Sequence, residues 1–138
     1  MKYLGIDYGT KRIGVAQSDE TGTIAFPLAT VSAGPQAAHE VAQLAKDNRI
    51  EKIVIGESKD FKGAANPVMK DIEQFKTALM EASGLPVAYE PEFMTSAQAV
   101  RQGLDKRGEG NKKEDLDASA AALILQGYLD RKGNHGTN

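Results

Sequence analysis

The spacing of apolar residues changes once along this chain, and that change most constrains its fold. At the start, three short segments have the alternation or the apolar run typical of β-strands: Lys2–Asp7, Arg12–Ser18 and Ile24–Val31. Their connectors are short, and Pro27 interrupts the third segment, which indicates an edge strand or a bulge. The opening of the chain therefore predicts an antiparallel meander.

Helical and strand patterns alternate after the meander. Helices are predicted over Gln36–Asn48, from Pro67 to Gly84, from Thr95 to about Leu104 and from about Asp115 to Arg131, and strands over Lys52–Gly56 and Pro86–Glu90. A strand–helix–strand order implies parallel pairing through right-handed crossovers. The sequence thus predicts an α/β fold. Its mixed five-stranded sheet is antiparallel in the first three strands and parallel afterwards, with helices on both faces.

Length and composition limit the class of protein further. The chain has 138 residues, of which 41% are hydrophobic and 26% charged, and these are values of a globular chain of one domain's size. We expect a single domain over residues 1–132 and a flexible tail over 133–138. With no Cys and two His, disulfides, thiolate catalysis and multi-His metal sites are excluded. No membrane span or signal-peptide layout is evident, so we expect a cytoplasmic protein.

The charge balance limits how this chain could bind nucleic acid. It has 17 basic and 19 acidic residues, which give a net charge of −2. Proteins that bind nucleic acid through bulk charge are basic. A nucleic-acid function would therefore need a local basic patch or a bound cation.

Three carboxylates occupy unusual positions in the sequence. Asp7 ends a buried-looking strand, where Asp is rare, although an Asp that supports a turn is an alternative. Asp117 lies on an otherwise apolar face of the last helix, although a first-turn Asp also interacts favourably with the helix dipole. Glu92 follows a strand at the end where α/β sheets place their sites, although loop carboxylates are usually solvated.

A divalent cation would explain these three acids if the fold brings them together. Clustered carboxylates repel one another, and oxygen ligands suit Mg²⁺ or Mn²⁺. Such ions activate water and stabilise the leaving oxygen of a phosphodiester. We therefore predict that Asp7, Glu92 and Asp117 bind Mg²⁺ or Mn²⁺ and are catalytic. A cation would also let an acidic pocket meet a polyanionic substrate.

Two stretches of the chain resemble a known family. Leu4–Ala16 (LGIDYGTKRIGVA) closely resembles the opening motif of the YqgF/RuvX family, and Asp117–Ala121 with Ile124–Leu129 resembles its closing helix. The resemblance implies a ribonuclease H-like fold. It also implies a nuclease, described both as Holliday-junction-resolvase-like and as maturing the 5′ end of small-subunit ribosomal RNA in bacteria. Asp7 and Asp117 match the family's first and last acidic positions.

The middle motif departs from the family pattern. The family usually has Asp-Glu-Arg, one further residue and two hydroxyl residues, whereas this chain has Pro91–Ser96 (PEFMTS). Glu92 keeps the central carboxylate, but the lost Arg weakens any phosphate contact made there. The family's Leu-Pro after the fourth strand is replaced by Glu57-Ser58, and Glu57 is a candidate additional ligand.

Basic residues near the predicted site are candidates for contacts to a nucleic-acid backbone. Lys11 and Arg12 flank the first hairpin, and Arg107, Lys112 and Lys113 cluster around a Gly-containing loop before the last helix. The alternative is an ordinary solvated loop, whose charge is partly offset by neighbouring acids.

Three functions stay open at this point. The first is a metal-dependent endonuclease acting on structured RNA. Its favoured role is 5′-end maturation of the 16S ribosomal RNA precursor with pre-ribosomal particles as partners, and a Holliday junction of branched DNA is the alternative substrate. The second is a non-catalytic nucleic-acid-binding module of the same fold. The third is a nucleotide-binding protein of the actin or sugar-kinase type, for which the chain is short. We expect a monomer or a weak homodimer.

Overall fold

The structure is a computed structural model that describes residues 1–9, 11–57, 67–91 and 113–135. In these ranges the chain forms β1 (Tyr3–Tyr8), β2 (Arg12–Ser18), β3 (Ala25–Ser32), α1 (Ala37–Asp47), β4 (Lys52–Glu57), α2 (Pro67–Ser83), β5 (Val87–Pro91) and α3 (Lys113–His135). None of the helices in the described ranges has the length and apolar character to cross a membrane.

The predicted strands and helices that lie within the described residues are confirmed to within a few residues. Every strand and α1 agree with the sequence pattern to within one residue at each end. Helix α2 begins at Pro67 as predicted, and Gly84 follows its last residue with a φ of 71°, a backbone conformation that favours glycine at a helix end. Helix α3 starts earlier than predicted and continues to His135, beyond the boundary expected at residue 132. The helix predicted from Thr95 to Leu104 lies outside the described residues.

The sheet topology confirms the predicted architecture. The strand order is β3-β2-β1-β4-β5, with β1 at the centre. Strand β1 pairs antiparallel with β2, and β2 pairs antiparallel with β3. Strand β1 also pairs parallel with β4, and β4 pairs parallel with β5. Strand β3 is an edge strand, and the pairing register shifts between Val15 and Ala16 of β2, where Ala16 pairs with Pro27. Pro27 is tolerated there because an edge strand can lose a backbone donor.

Helices cover both faces of the sheet. Helices α1 and α2 pack on one face in a large apolar core, which includes the fully buried side chains of Leu4, Ile6, Ile13, Val15, Val41, Ile53, Ile55, Ile72 and Leu79. Helix α3 packs on the other face in a smaller core with Tyr3, Ala16 and Val54. Burying each large aliphatic side chain stabilises the fold by about 1.5–3 kcal/mol, so the first core contributes most of the stability.

The stripe of α3 that contacts the sheet differs from the predicted one. The sequence placed Asp117, Ala121, Ile124 and Tyr128 on one buried face. In the structure the stripe is centred on Ala121, Leu125 and Leu129, and Ile124 belongs to a separate small cluster. Asp117 therefore lies at the margin of the packed face, where its side chain is 17% exposed.

Candidate active site

The candidate site lies where the carboxyl ends of the parallel strands meet. The carboxyl ends of β1, β4 and β5 lie at the same end of the sheet, and Glu57 pairs there in register with Pro91. Asp7 is the penultimate residue of β1, the central strand. Open α/β sheets place their sites beyond this edge.

Asp7 is buried, with 4% of its surface exposed. Side chains alternate along a strand, so Asp7 shares a face with Tyr3 and Gly5, the face that α3 covers. A carboxylate buried under a helix is not expected of a residue that only supports an exposed turn. The burial of Asp7 is therefore not explained by an exposed turn, and its catalytic role stays a prediction.

Gly14 links Asp7 to α3. It is the register partner of Asp7 on β2, so the two positions face the same side of the sheet. A Cβ atom built on Gly14 would lie 1.9 Å from the backbone oxygen of Asp117. The helix backbone at Asp117 therefore contacts the strand next to Asp7. Two carboxylates far apart in the sequence are brought to the same edge of one face.

Arg12 forms an ion pair with Asp117. The Arg12 Nε donates a hydrogen bond to Asp117 Oδ2 over 2.7 Å, and the two side chains are 33% and 17% exposed. Arg12 lies two residues from Gly14 and so on the face of Asp7, as its diagonal neighbour. The sequence predicted Arg12 as a phosphate contact, whereas the structure places its guanidinium on a predicted metal ligand.

The other predicted site residues are described in part or not at all. Lys11 is exposed in the connection between β1 and β2. Lys113 is the first residue of α3 and Glu57 the last of β4, and their side chains are not among those described. Glu92, Arg107 and Lys112 lie outside the described residues. Among the residues that are described, no group of three or more His, Asp or Glu could hold a metal, so the three-acid cluster stays a prediction.

A second buried acid lies close to the site and was missed in the sequence. Glu90 of β5 is 7% exposed and forms an ion pair with Arg131 of α3. It pairs in register with Gly56, and a Cβ atom on Gly127 would lie 3.8 Å from its Oε2 atom. This ion pair holds β5 against α3 at the end of the strand, which directly precedes Glu92 in the sequence. A charged residue at the end of the predicted strand Pro86–Glu90 was the available signal.

Tyr8, next to Asp7, belongs to the opposite face of the sheet. Its ring packs against that of Phe75 in α2, with 5.3 Å between the ring centroids. Burial and the negative charge of Asp71 raise the pKa of the Tyr8 hydroxyl. Tyr8 therefore stabilises the end of β1 on the face that α1 and α2 cover, whereas Asp7 lies on the face that α3 covers.

Comparison with solved structures identifies the class of fold. Thermus thermophilus RuvC in complex with a Holliday junction substrate superposes with a TM-score of 0.60 and 22% identity, covering 96% of this chain and 97% of that chain. The Fowlpox virus Holliday junction resolvase gives a TM-score of 0.56 and 16% identity, covering 95% and 99%. The protein thus has the ribonuclease H-like fold of the RuvC-type resolvases, as the sequence predicted.

The sequence comparisons identify the family. The sequence profile of the RuvX family, described as Holliday junction resolvase, matches residues 1–131. A relative from Streptococcus mutans is 34% identical over 137 residues, covering 95% of this chain and 99% of the relative. One from Bacillus cereus is 36% identical over 137 residues, covering 96% and 100%. Both carry the name "Putative pre-16S rRNA nuclease". The chain belongs to the RuvX family, a family of nucleases, and this favours a nuclease over the nucleotide-binding alternative.

Proposed function

We propose that this protein is a divalent-metal-dependent endonuclease that cleaves structured RNA and matures the 5′ end of the 16S ribosomal RNA precursor. The names of its relatives support this substrate. The observation that carries the proposal is that the backbone of Asp117 contacts Gly14, the register partner of Asp7. Asp7 is buried and the Asp117 side chain is 17% exposed, so two acids from distant parts of the chain lie at the same end of one sheet face.

The donor set fits a hard divalent cation. Asp7, Asp117 and Glu92 would hold Mg²⁺ or Mn²⁺, which prefer carboxylate oxygens. When bound, the cation would stabilise the negative charge that develops at the scissile phosphate.

The surrounding residues have separate tasks in this proposal. Gly14 lets α3 come close enough to fix Asp117 beside Asp7.

Hydrolysis would add water across the P–O3′ bond, leaving a 5′-phosphate and a 3′-hydroxyl. Phosphates flanking the cleaved bond would be contacted by the exposed Lys11 and by Arg107, Lys112 and Lys113, which would position the strand without reading its sequence.

A cleavage assay on two substrates tests the proposal. A 16S precursor fragment and a four-way DNA junction would be incubated with and without Mn²⁺, using wild type, Asp7→Asn and the matched control Asp47→Asn, which changes an exposed acid of α1. We expect metal-dependent RNA cleavage that Asp7→Asn lowers by about 100-fold or more at an unchanged melting temperature. Cleavage by Asp7→Asn at the wild-type rate would refute the site.

Branched DNA is the second candidate substrate. It is favoured by the description of the matching family as Holliday junction resolvase. Resolution cuts two strands and so needs two active sites, whereas RNA maturation can proceed with one. Sedimentation at the assay concentration would distinguish a monomer from the weak homodimer that junction cleavage requires.

A non-catalytic binding module is the third outcome that the same assay can reveal. The altered motif Pro91–Ser96 is the feature that favours it. Tight binding of structured RNA without divalent-dependent turnover would support this function. Under the main proposal the protein works in the cytoplasm on pre-ribosomal particles, and it should therefore co-sediment with precursor small subunits.

A further inference from the structure

The Arg12–Asp117 ion pair occupies one of the two carboxylate oxygens of a proposed metal ligand. Arg12 reaches Asp117 Oδ2 from the first residue of β2, and the oxygen belongs to a helix from the other end of the chain. A carboxylate oxygen that already accepts a charged hydrogen bond attracts a second cation less strongly. The guanidinium and a metal therefore compete for Asp117.

We propose that Arg12 is a built-in counter-ion of the site, which holds Asp117 while no metal is bound and which a divalent cation displaces. This inference rests on the proposed function, because it takes Asp117 as a metal ligand. It assigns Arg12 a role that opposes metal binding, in contrast to a positioning role that would assist it.

The exposure of Arg12 favours displacement over a permanent pair. The Arg12 side chain is 33% exposed and that of Asp117 17%, so the guanidinium has access to solvent when another cation takes its place. A divalent cation at Asp117 could also take an oxygen of Asp7, which is buried on the same face of the sheet.

Metal affinity distinguishes the counter-ion from a positioning residue, because the two roles predict opposite signs. Mn²⁺ binding would be measured by isothermal titration calorimetry for wild type, Arg12→Gln and Lys46→Gln. Lys46→Gln is a matched control, because it removes the same charge from the last turn of α1. Lys46 lies beside Ile50, which precedes β4, and so lies near the opposite end of the sheet from the site. We expect Arg12→Gln to bind Mn²⁺ about three- to tenfold more tightly and Lys46→Gln to change the affinity by less than about twofold. Equal or weaker binding by Arg12→Gln would overturn the proposal.

A measurement on the wild-type protein avoids any effect of mutation on folding. The Nε–Hε resonance of Arg12 would be followed by NMR during a titration with Mg²⁺, and that of Arg131, which pairs with Glu90, serves as the control. We expect the Arg12 signal to shift and to lose its protection from exchange as the metal site fills, while the Arg131 signal stays in place. An Arg12 signal that is unaltered at saturating Mg²⁺ contradicts displacement.

Asp7→Asn separates the failure of this inference from the failure of the proposed function. If wild type bound no Mn²⁺, or if Asp7→Asn bound it equally well, the proposed metal site and the counter-ion role of Arg12 would both be refuted. Binding that depends on Asp7 but is not tightened in Arg12→Gln would overturn the counter-ion alone.

Discussion

The backbone oxygen of Asp117 occupies the space that a side chain on Gly14 would need. A Cβ atom built there would lie 1.9 Å from that oxygen, well inside van der Waals contact. Because Gly14 is also the register partner of Asp7, this contact fixes how far α3 lies from the central acid. A residue without functional groups therefore sets the geometry of the proposed site.

Gly14→Ala should damage both stability and activity. The new methyl group would meet a helix backbone, which cannot move aside as the end of a flexible side chain can. We expect the free energy of unfolding to fall by about 3 kcal/mol, measured by urea denaturation, with loss of metal-dependent cleavage. Gly34→Ala is the control, since a Cβ atom there meets nothing within 4 Å. Equal stability of the two variants would show that α3 adjusts freely.

The elements that the sequence predicted well are those with a single clear period. Strand β2 has the predicted ends Arg12 and Ser18, and α2 begins at Pro67, whose fixed φ suits a first helical position. The stripe of α3 was placed less well, because a helix rich in Ala presents several small faces. Which face packs is decided by where the sheet offers space, at Gly5 and Gly14.

The site was predictable only where local sequence marks it. Asp7 is recognisable as an acid in a strand, and Asp117 as an acid at the margin of an apolar helix face. The Arg12–Asp117 pair, in contrast, depends on how far along the sheet α3 is placed, and no local pattern specifies that. The same holds for Glu90 and Arg131, which are joined only once β5 and α3 have packed.

Arg131→Ala should destabilise the protein through Glu90. The Glu90 side chain is 9% exposed, so loss of its partner leaves a buried carboxylate uncompensated, although half-exposed Arg131 limits the effect. We expect the free energy of unfolding at pH 7 to fall by about 1–2 kcal/mol. Adding Glu90→Gln should recover part of this loss, because the buried group is then neutral. If the double variant is less stable than Arg131→Ala, the cost arises elsewhere.

Asp19 should make stability depend on pH in the acid range. Its carboxylate accepts hydrogen bonds from the Thr21 hydroxyl and from the backbone N–H groups of Thr23 and Ile24, which lower its pKa from 3.8 to about 2. Because the folded protein favours the ionised form, Asp19 stabilises the fold above about pH 3.8 and loses this effect as pH falls through 3.8 towards 2. The melting-temperature difference between wild type and Asp19→Ala should shrink across that window. A difference that is constant from pH 5 to 2 would contradict this role.

Lys11 and Arg12 should differ in their contribution to RNA binding when metal is absent. Both lie at the β1–β2 connection, but Lys11 is exposed whereas the charge of Arg12 is paired with Asp117. With EDTA present, Lys11→Gln should lower the slope of log K against log salt by about 0.7–0.9, the value for one lost phosphate contact. Arg12→Gln should leave that slope unchanged, because the paired guanidinium releases no counter-ion. Filter binding of a 16S precursor fragment over a range of salt concentrations measures both slopes. Equal reductions in the two variants would mean that Arg12 leaves Asp117 for the phosphates even without a cation.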